Sequence, residues 1–483
     1  MPVVQSGLIT EDRTHRHIAD RTITPNPTAL HTDLYHVDAA YVAWKSGQTG
    51  LATFDLYTRR NPFQGGFMLV AGLEPALDYL RAFKYTWPDR EYLKAIKGYP
   101  DEYLDYLRDL RFSGEILAMP EGDIGFPNEP LLRVTAPFPE ALIIESGLLR
   151  TVGISTLIAT KAARLHLAAD GRAVSDFSFR RAHEPYLAAR SGFIGGCNST
   201  SFVAAAREYD IPGAGTVPHA LIQAYADELT AFRAIADALP AYSLLLDTYD
   251  VRQGIAHAIE TGLESLDNSD HRLVSVRLDS GDLEADARMC RELLDEASLG
   301  AVKVLVSGDL DEFRIQDLIR AGAPIDGFGV GGNLGVGLGS VETGTVGGVI
   351  GAVYKLAWYG GDRDEASGAR IKLAGGGDKS TWPGQKQTYR VGHFDRDIIA
   401  LEGEPVPAGV RSLLETIVAR GHLVTEAAPV RVARDRAMAS LGELPDVLRD
   451  LAPTVTYPVE MSAGLQAMRA EVIADYEIRD GHN

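Results

Sequence analysis

Four stretches of this chain end in the same way. "AYSLLLDTYD" (241–250), "RLVSVRLDSGD" (272–282), "AVKVLVSGDL" (301–310) and "APIDGFGVGG" (323–332) each run through an apolar segment into a turn of Asp, Gly and Ser. Segments with apolar residues at helical spacing separate them, at 221–239, 286–297 and 312–322. Strand, turn and helix recurring about every 20–35 residues is the pattern of successive βα units, whose strands bury both faces in a parallel sheet. "AVSDFSFRR" (173–181) reads as an earlier strand of the same kind. The sequence therefore predicts an α/β protein in which roughly 150–355 forms a closed or irregular (β/α) TIM-like barrel. Polar residues cluster just past each strand, where barrel active sites are assembled.

The remainder has a different texture. The first 25 or so residues are polar and end in "TITPNPTAL"; from Thr32 to about Leu110 helical stretches such as 74–83 mix with strand-like runs such as 51–59. "PLLRVTAPFPEALIIES" (130–146) reads as strand, turn and helix start, and 148–170 keeps helical spacing. The stretch after about 355 is rich in Gly and Lys and reads as a long loop, followed by helix-like pieces at 410–420, 442–451 and 458–475. The expected organisation is a flexible N-terminus (1–25), an N-terminal α/β domain (26–145), the barrel (146–360), and a C-terminal loop and helical segment (361–483) packing back on the N-terminal domain.

Charge and cysteine usage narrow the function classes. With 47 Lys and Arg against 66 Asp and Glu, the net charge of −19 argues against a broad nucleic-acid or anionic-membrane surface, though not against a small anion held by a few arginines. The two cysteines, Cys197 and Cys290, are too few for a disulfide framework or a Cys-rich zinc site, so a reducing cytoplasm is the expected setting. No signal peptide is read in the N-terminal residues, and the best apolar run, 346–358, is too short and glycine-rich for a membrane span.

Several segments carry chemistry. In "VRLDSGD" (276–282), Arg277 and Asp279 stand two apart on a strand and share a face, which suits an anionic, polyhydroxylated ligand; a buried ion pair is the bland alternative. "DTYD" places Asp247 and Asp250 at another strand end, where helix capping is the competing role. "GFGVGG" contains Gly327-x-Gly329-x-x-Gly332, formally a dinucleotide fingerprint. Its late place in the βα series favours a phosphate cradle, with "SGD" (307–309) as the neighbouring half. "DFSFRRAHEP" offers an aromatic pair followed by Arg180 and Arg181, suited to a flat anionic aromatic ligand or equally to a core strand ending in solvated arginines. In "GAGTVPHALIQAY", His219 opens a helix after a glycine-rich turn. No HxxxH or HxH spacing accompanies it, which disfavours metal ligation.

Taken in order, "TDLYHVDAAY" (32–41), "FDLYTRRNPFQGGFMLVAGLEPALDYL" (54–80), "IATKAARL", "DFSFRRA", "GTVPHA", "LLLDTYD", "VRLDSGDL", "SGDLDE", "IDGFGVGG", "VYKLA", "PGQKQTYR" and "YPVEMS" resemble the motifs of the nicotinate phosphoribosyltransferase family. The resemblance implies the type II phosphoribosyltransferase fold and an ATP-coupled reaction of NAD salvage. Nicotinate and phosphoribosyl pyrophosphate give nicotinate mononucleotide and pyrophosphate, with Mg²⁺ travelling with the pyrophosphate and no tightly bound organic cofactor. It implies a homodimer with shared active sites and no nucleic-acid or membrane partner. By the same carry-over, His219 is the histidine that ATP phosphorylates. Phe177 and the partner copy's Tyr35 sandwich the pyridine ring, and Arg180 and the partner copy's Arg59 meet phosphate or the nicotinate carboxylate. Arg277 and Asp279 hold the ribose, Thr216 and Asp247 join the substrate site, and Ser307, Gly308, Gly329, Val330 and Gly331 cradle the 5′-phosphate.

The chain departs from the family pattern in three places. Ser178 stands where the ring-binding motif usually has glycine, Gly332 where the phosphate loop often has Thr, and His36-Val37-Asp38 continues the "TDLY" motif. The nearest alternative is nicotinamide phosphoribosyltransferase, against which the adjacent Arg180 and Arg181 favour a carboxylate substrate. A quinolinate enzyme has no use for a phosphorylatable histidine, and a phosphosugar aldolase barrel needs a strand-end lysine or carboxylate base. A catalytically inactive ligand-sensing relative is the non-enzyme alternative.

Overall fold

The computed structural model describes residues 28–268, 270–340, 344, 347–360, 368–373 and 380–479. The N-terminus expected to be flexible (1–25) and much of the glycine-rich stretch 361–379 lie outside the described residues.

Six parallel strands form one sheet in the spatial order Ser199–Thr200, Ala173–Asp176, Gly327–Val330, Lys303–Val306, Arg272–Leu278, Ala241–Leu245. Four of these are the strands whose turns recur in the sequence, and Ala173–Asp176 is the fifth. The ladder is open between its first and last members, so the barrel is the irregular kind. One side of the strands, including Val276, Leu278, Val304 and Val306, belongs to a buried core shared with the surrounding helices. Ser175, Arg277 and Leu305 instead line a cavity of only about 40 Å³, so side chains fill the interior. The helical reading of 221–239 divides into His219–Gln223 and Glu228–Ala238, because the Asp227 carboxylate caps the second helix by accepting from the Thr230 N–H.

The N-terminal sheet runs Ala352–Gly360, Leu51–Thr58, Leu132–Pro137, Glu115–Ala118, Glu415–Ala419, His422–Leu423. Ala352–Gly360, read from sequence as the end of the barrel segment, pairs antiparallel with Leu51–Thr58 in this other sheet. The helix Glu145–Ala168 is the hinge between the two halves. Its Thr160 hydroxyl accepts the Leu69 N–H at 2.9 Å and its Thr156 hydroxyl meets both backbone groups of Ala71, which dock it on the N-terminal domain. Its other side buries Lys161 and Arg164 against Glu312 of the barrel helix Glu312–Arg320.

The C-terminal segment does pack on the N-terminal domain: Arg133 donates to the Lys386 carbonyl at 2.8 Å, and Arg390 to that of Ile124 at 3.0 Å. Its composition differs from a loop and helices. Arg411–Ser412, Lys386–Val391, Arg396–Leu401 and Val459–Met461 make a four-stranded sheet, and the helix Val430–Glu443 clamps the barrel through Arg434, which donates to the Phe193 and Cys197 carbonyls. The helix read at 410–420 is strand. Leu413, Leu414, Ile417 and Val418 are all buried, and the ladder between Glu415–Ala419 and Glu115–Ala118 shifts register between Thr416 and Val418, which brings the consecutive Ile417 and Val418 both inside. That bulge breaks the alternation of two and leaves a helix-like apolar spacing.

Candidate active site

At the C-terminal ends of the parallel strands, one guanidinium organises its surroundings. Arg277 donates through Nε to the Ser307 hydroxyl (2.7 Å), through Nη1 to the Thr216 hydroxyl (2.7 Å) and through Nη2 to Asp279 Oδ1 (2.6 Å). The Ser307 hydroxyl in turn donates to Asp279 Oδ1. Strand pairing explains the meeting: Leu305 is the register partner of Arg277, and Ser307 follows two residues on, pointing to the same side. Burial would push the Asp279 carboxyl up, but the hydrogen bonds from Ser307 and Arg277 and the Arg277 charge outweigh it. Asp279 is held below its ordinary value and stays ionised.

Asp247 fixes the turn that follows. Its Oδ2 accepts the Asp279 N–H at 3.0 Å and the Ser280 hydroxyl at 2.6 Å, while its Oδ1 is buried without a hydrogen-bond partner. His219 leans over this cluster from the first turn of its helix. Its Nδ1 is 3.1 Å from the Thr248 hydroxyl and its Nε2 is 4.0 Å from Asp279 Oδ2. With Nδ1–H donating to Thr248, Nε2 carries the free lone pair. Thr248 is a site residue that the sequence reading passed over, although it lies inside "DTYD", where the two carboxylates drew attention away from the hydroxyl between them.

The glycine turns are where close approach requires them. Gly308 has φ +93°, and any Cβ there would run into the Asp279 carbonyl. A Cβ on Gly329 would stand 2.5 Å from the Phe177 ring, so that ring lies flat on the strand beside Arg277, whose guanidinium carbon is 5.7 Å from its centroid. Phe177 N–H donates to the Val330 carbonyl at 2.8 Å, and the Asp176 carboxylate accepts the Ser178 N–H at 2.8 Å. Ser178 is accommodated because residue 335 is glycine: a Cβ there would approach the Ser178 Cβ to 2.5 Å. Arg180 stands exposed on the same turn.

His219, Thr216, Asp247, Arg277, Asp279, Ser307, Gly308, Phe177 and Gly329 thus share one neighbourhood. Tyr35 and Arg59 do not join it within this chain. Tyr35 is 61% exposed on the N-terminal domain, its ring 4.0 Å from that of His36. Arg59 lines a separate cavity of about 860 Å³ together with Arg60, Lys355, and the Lys386–Asp55 pair (2.7 Å). Lys386 is neutralised by Asp55, so Arg59, Arg60 and Lys355 give this cavity a net positive lining. The sequence reading missed Lys355, which lies in the quoted "VYKLA". Among the described residues no three His, Cys, Asp or Glu side chains converge as a metal cage, and no helix is long and apolar enough to cross a membrane.

Residues 30–153 match the family model of the nicotinate phosphoribosyltransferase (NAPRTase) N-terminal domain. The chain is 42% identical over 388 residues to the nicotinate phosphoribosyltransferase of Bacillus subtilis, covering 78% of this chain and 77% of that one. It is 38% identical over 442 residues to one from Mycobacterium tuberculosis, covering 90% and 91%. The crystal structure of human nicotinic acid phosphoribosyltransferase superposes with a TM-score of 0.80 at 28% identity, over 91% of this chain and 99% of that one. These likenesses agree with the resemblance of the motifs: the chain belongs to the nicotinate phosphoribosyltransferase family.

Proposed function

We propose that this protein transfers the phosphoribosyl group of phosphoribosyl pyrophosphate to nicotinate, with ATP hydrolysed to ADP and phosphate, as a step of pyridine-nucleotide salvage in the cytoplasm. The observation that carries the reading is the Arg277 fork, which ties Thr216, Asp279 and Ser307 into one rigid unit directly below the His219 imidazole. In the transfer, the nicotinate ring nitrogen forms a bond to the anomeric carbon as the bond from that carbon to pyrophosphate breaks. The transition state is oxocarbenium-like, so positioning and charge compensation supply most of the rate. The Asp279 carboxylate, kept ionised by its partners, hydrogen-bonds the ribose hydroxyls and faces the developing positive charge. Phe177 offers its ring face to the pyridine, and Arg180 meets the nicotinate carboxylate or the phosphates.

In the coupled half-reaction, His219 Nε2 attacks the γ-phosphorus of ATP and ADP leaves; water later cleaves the phosphorus–nitrogen bond and restores the imidazole. Mg²⁺ arrives with phosphoribosyl pyrophosphate or ATP as part of that substrate. The unpartnered Asp247 Oδ1 is a donor suited to a hydrated divalent ion.

The protein acts as a homodimer in this reading. Tyr35 and the cationic lining of Arg59 lie away from their own barrel cluster, so each completes the site of a second copy. The test is a product assay with phosphoribosyl pyrophosphate, Mg²⁺ and ATP, offering nicotinate, nicotinamide and quinolinate separately. Nicotinate mononucleotide from nicotinate alone, with ADP released, is the expected result. Turnover of nicotinamide instead overturns the role of the arginines, and no product from any base brings forward a ligand-sensing role.

A further inference from the structure

Within its own chain, a phosphate lodged on the glycine turns of the barrel meets a shortage of side-chain positive charge. The loop 327–332 reads Gly-Phe-Gly-Val-Gly-Gly and contributes no hydroxyl and no cation. Ser307, in the adjoining turn, already donates to Asp279 and accepts from Arg277. All three donor nitrogens of Arg277 are engaged by Ser307, Thr216 and Asp279. A phosphate monoester carries close to two negative charges at neutral pH, and backbone N–H groups alone leave that charge without a counterion.

A cationic side chain meets this loop. Arg181 ends the tight turn after Ala173–Asp176, where its N–H and that of Ala182 both donate to the Ser178 carbonyl, at 2.8 and 2.9 Å. From there its stem crosses the glycine loop. A Cβ placed on Gly332 would stand 2.9 Å from Arg181 Cδ, 3.8 Å from its Nε and 3.9 Å from its Cβ. A threonine at 332, the residue often found there in the family pattern, would therefore collide with the arginine as it lies. The Arg181 side chain is exposed, and among the described residues no carboxylate or carbonyl engages its guanidinium.

We propose that Arg181 is the side-chain cation that binds the 5′-phosphate of the phosphoribosyl group, and that Gly332 is glycine so that the guanidinium can lie across the phosphate loop. A planar, five-donor fork then replaces a single hydroxyl. The two adjacent arginines divide the substrates: Arg181 serves the sugar phosphate and leaves the base to Arg180. This assignment rests on the phosphoribosyl-transfer reading above.

The experiment compares binding of nicotinate mononucleotide with that of nicotinate riboside, which differs only in lacking the 5′-phosphate, by titration calorimetry on the full-length protein. In the wild type the mononucleotide binds more tightly. Arg181→Ala shrinks that preference by about tenfold or more, the size expected for a charge-assisted hydrogen bond, and leaves riboside affinity and the KM for nicotinate unchanged. Arg181→Lys recovers part of the preference. Gly332→Ala, which pushes the stem aside, shrinks it with the arginine still present. An Arg181→Ala protein that keeps the wild-type preference, or whose defect is a raised KM for nicotinate, overturns the assignment. A wild-type protein that forms no mononucleotide and binds both compounds alike overturns the underlying reading, and this control separates the two failures.

Discussion

Nε2 of His219 stands 4.0 Å from Oδ2 of Asp279, across the mouth of the barrel, with Nδ1 turned to the Thr248 hydroxyl. The imidazole is therefore oriented by one partner and faces the Asp279 carboxylate with the other nitrogen. His219→Ala removes the imidazole that we propose attacks ATP but touches none of the Arg277 hydrogen bonds. ATP hydrolysis and ATP stimulation are expected to disappear, while a slow ATP-independent transfer remains. Product formation measured with and without ATP checks this, and full ATP-dependent turnover in the variant would remove the phosphohistidine role.

Arg277→Lys keeps the charge and loses the fork. An ammonium on a shorter reach cannot serve Ser307, Thr216 and Asp279 together, so at least two buried or half-buried partners lose a donor. We expect kcat/KM to fall by about 10²–10³, the usual scale for removing one preorganised electrostatic contact. Steady-state kinetics with both substrates varied would show it; a loss below about threefold would mean the cluster is structural and not part of the chemistry.

Tyr35→Ala and Arg277→Ala, each inactive alone, should regain partial activity when the two proteins are mixed and allowed to exchange subunits. A mixed dimer has one site with both lesions and one with neither. The prediction follows from the place of Tyr35, exposed on the helix Leu34–Lys45 of the N-terminal domain with no contact to the barrel cluster among the described residues. Absence of recovery after demonstrated exchange would place Tyr35 outside the site.

The barrel was legible because five of its six strands run into a turn of polar residues or glycine, a pattern that survives without knowledge of neighbours, whereas the two-residue strand Ser199–Thr200 is too short to show it. The interior of the sheet is less apolar than a parallel sheet ordinarily is: Ser243 pairs with Ser275, and Ser199 with Ser175, at 2.9 Å for the second pair. These hydroxyls satisfy each other, so they leave the strands readable. The C-terminal sheet was not legible, because Arg390 is buried against Asp397, two charges that sequence alone assigns to a surface, and the bulge at 416–418, which imitates helical spacing, hid a strand that the C-terminal segment adds to the N-terminal sheet. In the site, charged residues were readable by type. Thr248 was not, since an isolated hydroxyl carries no spacing signal, and Lys355 reaches its cavity only through a strand pairing some 300 residues distant in sequence.

Glu145 begins the hinge helix in a half-buried place beside His36, whose Nε2 lies 3.8 Å away. Burial, with Lys355 opposing and Asp33 assisting, pushes its carboxyl up to about 7. A carboxyl raised in the folded state binds more protons there than in the unfolded chain, so stability falls as pH rises from its ordinary range through 7 and is level above that. Glu145→Gln should therefore be more stable than the wild type at pH 8, by on the order of 1–3 kcal/mol, with the difference closing toward pH 4.5. Thermal unfolding across that range checks the sign. A variant that is less stable at pH 8 would show that the Lys355 attraction outweighs burial.

Lys161, Arg164 and Glu312 form a triad in which every side chain is at most 1% exposed. Glu312 Oε1 accepts from Arg164 Nε at 2.9 Å, its Oε2 accepts from Lys161, and Arg164 also donates to the Leu451 carbonyl at 3.0 Å. Both cations lie over the Phe63 ring, at 5.2 and 5.6 Å from its centroid. One carboxylate thus compensates two buried cations, and it ties the hinge helix to the barrel and to the C-terminal segment at once. Glu312→Gln leaves both cations without a counter-charge and is expected to cost about 3–5 kcal/mol, because the desolvation of the remaining charges is no longer offset. Lys161→Met removes one cation of a triad that is already one charge in excess and places an apolar chain on the Phe63 face, so its cost should be smaller by about 2 kcal/mol or more. Denaturant unfolding of the two variants distinguishes this from simple packing. Equal losses would mean that the shape of the side chains, and not their charge balance, holds the two halves together.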